Sequence, residues 1–99
     1  MAQVVVTGPA DADVAAIVAY LAARAGRQVA ARYFAAFDAV YARLADFPDL
    51  GPSRPALGMN ARVVLVHPFV VIYDHADDTV TVLRVLHGRR NITRELLDR

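Results

Sequence analysis

Apolar residues recur along this chain with two alternating rhythms, and each change of rhythm marks an element. Residues 3–7 form a short β-branched run ended by Gly8-Pro9, which predicts a strand. The rhythm then changes to the helical one, with Val14, Ile17, Val18 and Leu21 sharing one face. Asp11 or Asp13 supplies a candidate N-cap, Arg24 sits in the last turn where a cation suits the dipole, and Gly26 stops the helix, predicting a helix over roughly 11–25. A second stripe follows at once: Val29, Tyr33, Phe37, Val40 and Leu44, widened by Phe34 and Tyr41. It ends at Phe47-Pro48, because proline disfavours helix at the residue before it. The link through Gly26-Arg27 is so short that the two helices must form an antiparallel hairpin.

Residues 48–60 hold Pro48, Pro52 and Pro55 with Gly51 and Gly58, and read as a crossing loop. Three β-branched runs follow, predicting strands at about 61–66, 69–75 and 79–87, joined at His67-Pro68 and at Ala76-Asp77-Asp78. The order β-α-α-β-β-β, with a short C-terminal piece, predicts an α+β fold with a helical hairpin packed on a small, mainly antiparallel sheet, in a single domain over residues 1–99. Strict alternation in the last strand places Val80, Val82, Arg84 and Leu86 on one face, and Thr81, Leu83, Val85 and His87 on the other. Both faces are mainly apolar, and one helical layer covers only one of them. The second is either capped by the C-terminal segment through Leu96 and Leu97 or left for a partner.

Composition narrows the function classes. There is no Cys, so disulfides and thiolate metal sites are excluded. All eleven Lys-or-Arg positions are Arg, so no lysine amine is present to act as base or Schiff-base nucleophile. The N-terminus lacks the basic start and long apolar core of a signal peptide. The uncharged stretch 63–73 is too short to span a bilayer, so a cytoplasmic protein without membrane attachment is expected. The net charge is only +1, which argues against a general polyanion binder; the distribution matters more. Arg84, Arg89, Arg90 and Arg94 lie close together in sequence and form the main basic patch.

Few residues are arranged for chemistry. The glycines are scattered, so there is no phosphate loop, and no histidines stand at metal-ligand spacing; no cofactor or metal is expected. His67 and His75 read as structural or exposed, and Asp77-Asp78 as turn residues. One arrangement stands out: Arg62, Arg84, His87, Arg89 and Arg90 at strand ends. These could bind and polarise a phosphate with His87 as acid or base, or they could form an electrostatic patch for an acidic protein partner. The second reading is preferred, because only His87 is available as a proton-transfer group.

Several local patterns resemble the ParE branch of the RelE/ParE toxin superfamily, the plasmid-stabilisation proteins. Asp13-Val-Ala-Ala-Ile-Val-Ala-Tyr20-Leu is similar to that family's first helix, and Ala31-Arg-Tyr-Phe through Leu44 to its second. Phe47-Pro-Asp-Leu-Gly-Pro-Ser-Arg-Pro-Ala-Leu-Gly58 resembles its Pro/Gly loop. Arg62, then Pro68-Phe-Val-Val-Ile-Tyr73, and finally Val82-Leu-Arg-Val-Leu-His-Gly-Arg-Arg90 resemble its closing strands.

The resemblance implies the toxin of a type II toxin–antitoxin pair. It implies a ParD-like antitoxin with a ribbon-helix-helix DNA-binding part, DNA contact only through that antitoxin, and inhibition of DNA gyrase by binding. Arg84, His87, Arg89 and Arg90 would contact the target. Val14, Ile17, Val18 and Leu21, with the open sheet face, would meet the antitoxin. The alternatives are a ribosome-dependent mRNA endonuclease of RelE type, which would use Arg62, His87 and Arg90, and a non-toxic homologue kept for regulation. The nuclease branch uses a basic set with Lys and a Tyr near the C-terminus. This chain has no Lys, and Leu96 stands where the Tyr would fall. That favours a toxin without catalytic residues.

Overall fold

In the computed structural model, which describes residues 1–97, strand β1 (Gln3–Val6) leads into helices α1 (Gly8–Ala25) and α2 (Arg27–Asp46). Strands β2 (Ala61–Val66), β3 (Phe69–Ala76) and β4 (Thr79–His87) follow, with short 3₁₀ turns at Pro55–Leu57 and Arg94–Leu97. The sheet order is β1-β4-β3-β2, with β1 parallel to β4 and the other neighbours antiparallel. The predicted order and the α+β class are therefore the observed ones.

α1 starts three residues before its expected position. Its cap is Thr7, not Asp11 or Asp13: the Thr7 hydroxyl accepts the Ala10 N–H at 3.3 Å and donates to Val82 O at 2.8 Å. Pro9 falls in the first turn, where a missing N–H costs nothing. Gly26 alone links the helices at φ 94°, a backbone conformation that L side chains rarely adopt. The α2 stripe buries Phe37 and Leu44 against the sheet, and complete burial of a Phe or Leu stabilises by about 1.5–3 kcal/mol.

Alternation along β4 is interrupted. Ile72 pairs with Arg84 and Tyr73 with Val82, so Leu83 is an extra residue opposite that step, a β-bulge. The bulge reverses the facing of everything after it. Val80, Val82 and Val85 pack together beneath the helices with Phe69, Val71 and Tyr73, whereas Leu83 and Leu86 lie on the opposite face with Val63, Val70 and Ile72. The strict alternation expected from the sequence is corrected on this point: Val82 and Leu86 lie on opposite faces, and Val85 joins Val80.

The second sheet face is covered by the chain itself. Leu57 and Ala61 close one side, and Ile92, Leu96 and Leu97 of the C-terminal segment pack across it. Of the two open alternatives for this face, the C-terminal cap is the one realised, and the expectation of an open sheet face awaiting an antitoxin is corrected. The 48–60 loop lies along the outer edge of β2, through Val63 N–H to Pro52 O (3.1 Å) and Arg54 N–H to Ala61 O (2.8 Å). It is pinned by the fully buried Tyr73, whose hydroxyl donates to Pro48 O at 2.8 Å and accepts the Gly51 N–H at 3.0 Å.

Candidate functional site

β4 ends at a corner held by backbone. The Gly88 N–H donates to Pro68 O at 2.8 Å, and a Cβ at position 88 would stand 3.1 Å from that oxygen, so the 67–68 turn and the end of β4 are tightly apposed. This register sets His87 opposite Phe69, with the rings edge-to-face and centroids 5.7 Å apart. Phe69 also meets Tyr33 (5.6 Å) and Phe37 (5.9 Å) from α2, again edge-on. Such pairs add roughly 0.5–1.5 kcal/mol each beyond simple burial. His87 Nδ1 accepts the Arg89 N–H at 3.2 Å, which leaves Nε2 as the protonated nitrogen of the neutral ring.

Between this aromatic row and α1 opens a groove of about 580 Å³. Ile17 and Leu21 form one wall, Tyr33 and Phe69 the other, and His87 and Arg89 stand at the sheet end. Tyr20, 58% exposed, lines it as well, and the Arg24 guanidinium lies 5.0 Å from the Tyr20 ring centre. An apolar trough with cations beside it can accept a segment that combines apolar and acidic side chains.

The residues singled out in the sequence fall into different places. His87 and Arg89 come together with Ile17 and Leu21 in the groove. Arg90 follows, its backbone N–H on His87 O at 3.0 Å and its side chain exposed. Val14 is buried in the helix–sheet core, and Val18, like Ile17 and Leu21, is partly buried against it. Arg84 was expected in the exposed basic set, but it is turned to Asp13: Nε–Oδ2 is 2.7 Å and Nη2–Oδ1 is 2.9 Å, and Nη1 also donates to Leu96 O at 2.9 Å. β1 is too short to cover β4 at this point, and Asp13 takes over, its Oδ2 also accepting the Val85 N–H at 3.0 Å.

Arg62 stands apart from His87. It pairs with Tyr73, while His87 pairs with Phe69, which puts about 13 Å along the strands and about 10 Å across them between the two. Its guanidinium is occupied with Gly51 O (2.8 Å) and Asp49 (3.3 Å), and Asp49 also meets His75 Nδ1 at 2.6 Å. The hydrogen bond with His75 holds the Asp49 carboxyl below its usual range, with the charges of Arg62 and His75 adding to it and desolvation opposing. Arg62 and His75 thus tie down the loop. Among the described residues, no cluster of His, Cys, Asp or Glu could hold a metal.

The sequence reading missed Tyr20, Tyr33 and Phe69 as groove walls. Their spacing offered a signal, since Tyr20 lies three residues after Ile17 and Tyr33 four before Phe37, at the linked end of the hairpin.

Comparison with known proteins places the chain. Residues 4–92 match the family described as the ParE toxin of the type II toxin–antitoxin system parDE. The chain belongs to the ParE toxin family. Toxin ParE3 of Caulobacter vibrioides (strain ATCC 19089 / CIP 103742 / CB 15) is 31% identical over 96 residues, covering 97% of this chain and 96% of that protein. A solved structure described as the chromosomal ParDE TA system from P. aeruginosa matches with a TM-score of 0.74 over 88% of this chain and 96% of that one; at 21% identity it shows the shared fold. This ParE-family chain is therefore a toxin of a toxin–antitoxin system, which implies an antitoxin partner. Among the described residues, no helix is long and apolar enough to cross a membrane.

Proposed function

We propose that this toxin acts in the cytoplasm by binding rather than by bond cleavage: it inhibits DNA gyrase and is neutralised by a ParD-like antitoxin of ribbon-helix-helix type, through which alone it reaches DNA. The observation that carries this reading is the separation of Arg62 from His87. A phosphoryl-transfer site needs its proton-transfer group and its cations within reach of one substrate group. Here Arg62 is bound into the 48–60 loop, on the far side of β3 from His87. A binding role is supported by His87 and Arg89 lining the groove and by the exposed Arg90 that follows them. Arg84, the fourth residue expected to meet the target, is engaged by Asp13 and the Leu96 carbonyl.

The test is a supercoiling and DNA-cleavage assay with purified gyrase. Loss of supercoiling or trapped cleaved DNA is expected, with Arg89→Ala/Arg90→Ala markedly weaker at an unchanged melting temperature. A folded, growth-arresting preparation that leaves gyrase untouched but cuts transcripts on translating ribosomes would replace this reading with the ribonuclease one.

A further inference from the structure

A second recess lies away from the groove, where the start of α1 meets α2 and the end of β1. It is a slot of about 170 Å³, lined by Val6, Val14, Phe34, Phe37 and Tyr41, with Asp11 and Asp38 at its margin. Three observations make it unlike ordinary surface. Phe34 is 52% exposed and Val6 37%, so apolar area is left open on both sides. Asp11 and Asp38 are exposed, and neither makes an ion pair among the described residues. The Tyr41 hydroxyl oxygen is buried and has no hydrogen-bond partner among the described residues. A buried hydroxyl nearly always has a partner, and leaving one without costs free energy. Burial raises the Tyr41 phenol to about 12, and the charges of Asp11, Asp38 and Asp13 add to that rise. The hydroxyl therefore stays neutral, an oxygen able to accept a hydrogen bond in a negative field.

We infer that this slot is a subsite for an arginine side chain of the antitoxin, placed between the Asp11 and Asp38 carboxylates, stacked on Phe34 and donating toward Tyr41. The inference rests on the reading of this chain as a toxin held by an antitoxin. Charge complementarity selects the occupant: two carboxylates without ion pairs call for a cation, and an apolar wall calls for a long side chain whose stem can lie along it. Arginine fits better than lysine, because its planar fork offers several donors at once and stacks on an aromatic face. The slot also carries the opposite charge to the His87–Arg89 groove. A partner occupying both surfaces would present acidic residues to one and a basic residue to the other, which fixes the direction in which it lies on the toxin.

The test uses the whole 99-residue chain and its cognate ParD-like antitoxin. Affinity is measured for the wild type, for Asp11→Asn/Asp38→Asn and for Tyr41→Phe, each at low and high salt. The double variant should bind roughly tenfold more weakly at low salt and lose part of the salt dependence, while keeping its melting temperature. Replacing the antitoxin's arginines one at a time should find one whose loss adds nothing to the Asp variant, the signature of a direct pair. Tyr41→Phe, which removes one acceptor of the guanidinium, should weaken binding by a smaller factor than the double variant, and its melting temperature shows that it folds. If the wild-type complex forms and the double variant matches it in affinity and salt response, the subsite is overturned and the toxin–antitoxin reading stands. If no complex forms with the wild type, both are overturned.

Discussion

Asp13 of α1 and Arg84 of β4 form a two-pronged ion pair, Oδ2 to Nε at 2.7 Å and Oδ1 to Nη2 at 2.9 Å, and Oδ2 also accepts the Val85 N–H at 3.0 Å. The pair does three things at once. It closes the edge of β4 beyond the end of β1, fastens the helical layer to the sheet, and aims Arg84 Nη1 at Leu96 O to hold the C-terminal cap. Both side chains are mostly shielded, at 15% and 22% exposure, so water competes only weakly.

Removing one member of this pair leaves the other uncompensated. Asp13→Ala should lower stability by about 2–3 kcal/mol, because a guanidinium and a backbone N–H lose their acceptor together. Urea unfolding followed by circular dichroism checks this, the midpoint falling with little change in slope. A midpoint shift near zero would mean that the pair is too hydrated to matter.

Gly51 and Tyr73 should prove as important to the loop. A Cβ at Gly51 would stand 2.0 Å from Val63 O, a backbone atom of β2 that cannot move without breaking the Pro52 pairing. Gly51→Ala should therefore cost at least about 3 kcal/mol. Tyr73→Phe removes the partner of both Pro48 O and the Gly51 N–H and should cost about 1–3 kcal/mol. Thermal melts of the two variants compare the effects, and Gly51→Ala should be the worse.

The loop anchor should respond to acid. Asp49 is held below its ordinary value of 3.8, so the folded state prefers its ionised form. That contribution is present above pH 3.8 and disappears as pH falls through the lower folded value; the sign follows because the unfolded chain binds this proton first. The groups facing Asp49 are His75 and Arg62. Amide exchange at Gly51, corrected for intrinsic rates, should speed up in that acid range, and Asp49→Asn should remove the pH dependence. Equal protection above and below the window would refute the anchor.

Arg62 and Arg89 should separate stability from action. Arg62→Ala loses Gly51 O and Asp49, so it should loosen the loop and lower the melting temperature by a few degrees while a properly folded fraction still acts on the target. Arg89→Ala, whose side chain is exposed, should leave the melting temperature unchanged and reduce growth arrest at equal expression. Growth-arrest assays paired with melts decide this, and the reverse pattern would point to the ribonuclease set.

The order of the elements, the helical hairpin and the family were legible because each rests on short-range signals: residue periodicity, Gly and Pro punctuation, and the spacing of motifs such as Pro68 to Tyr73. The candidate site was legible only in part. His87 and Arg89 stood out as charge at a strand end, but Arg84 looked equivalent to them, and nothing local marks it as the partner of a residue 71 positions earlier. Val14 and Ile17 share one helical stripe in the sequence, yet Val14 is sealed into the core while Ile17 reaches the groove.

By itself, then, the sequence determined which segments become helix or strand, their order, and that every cation with a fixed charge is an arginine. The tertiary structure alone decided which side chains meet. The extra residue at Leu83 exchanges the two faces of β4 from that point on, the C-terminal segment covers the sheet face that alternation left open, and Asp13 claims Arg84. Local preference acts over a few residues and favours helix or strand. Register, bulges and ion-pair choice depend on strands and helices meeting across the chain, where a shift of one residue turns a side chain from one face to the other.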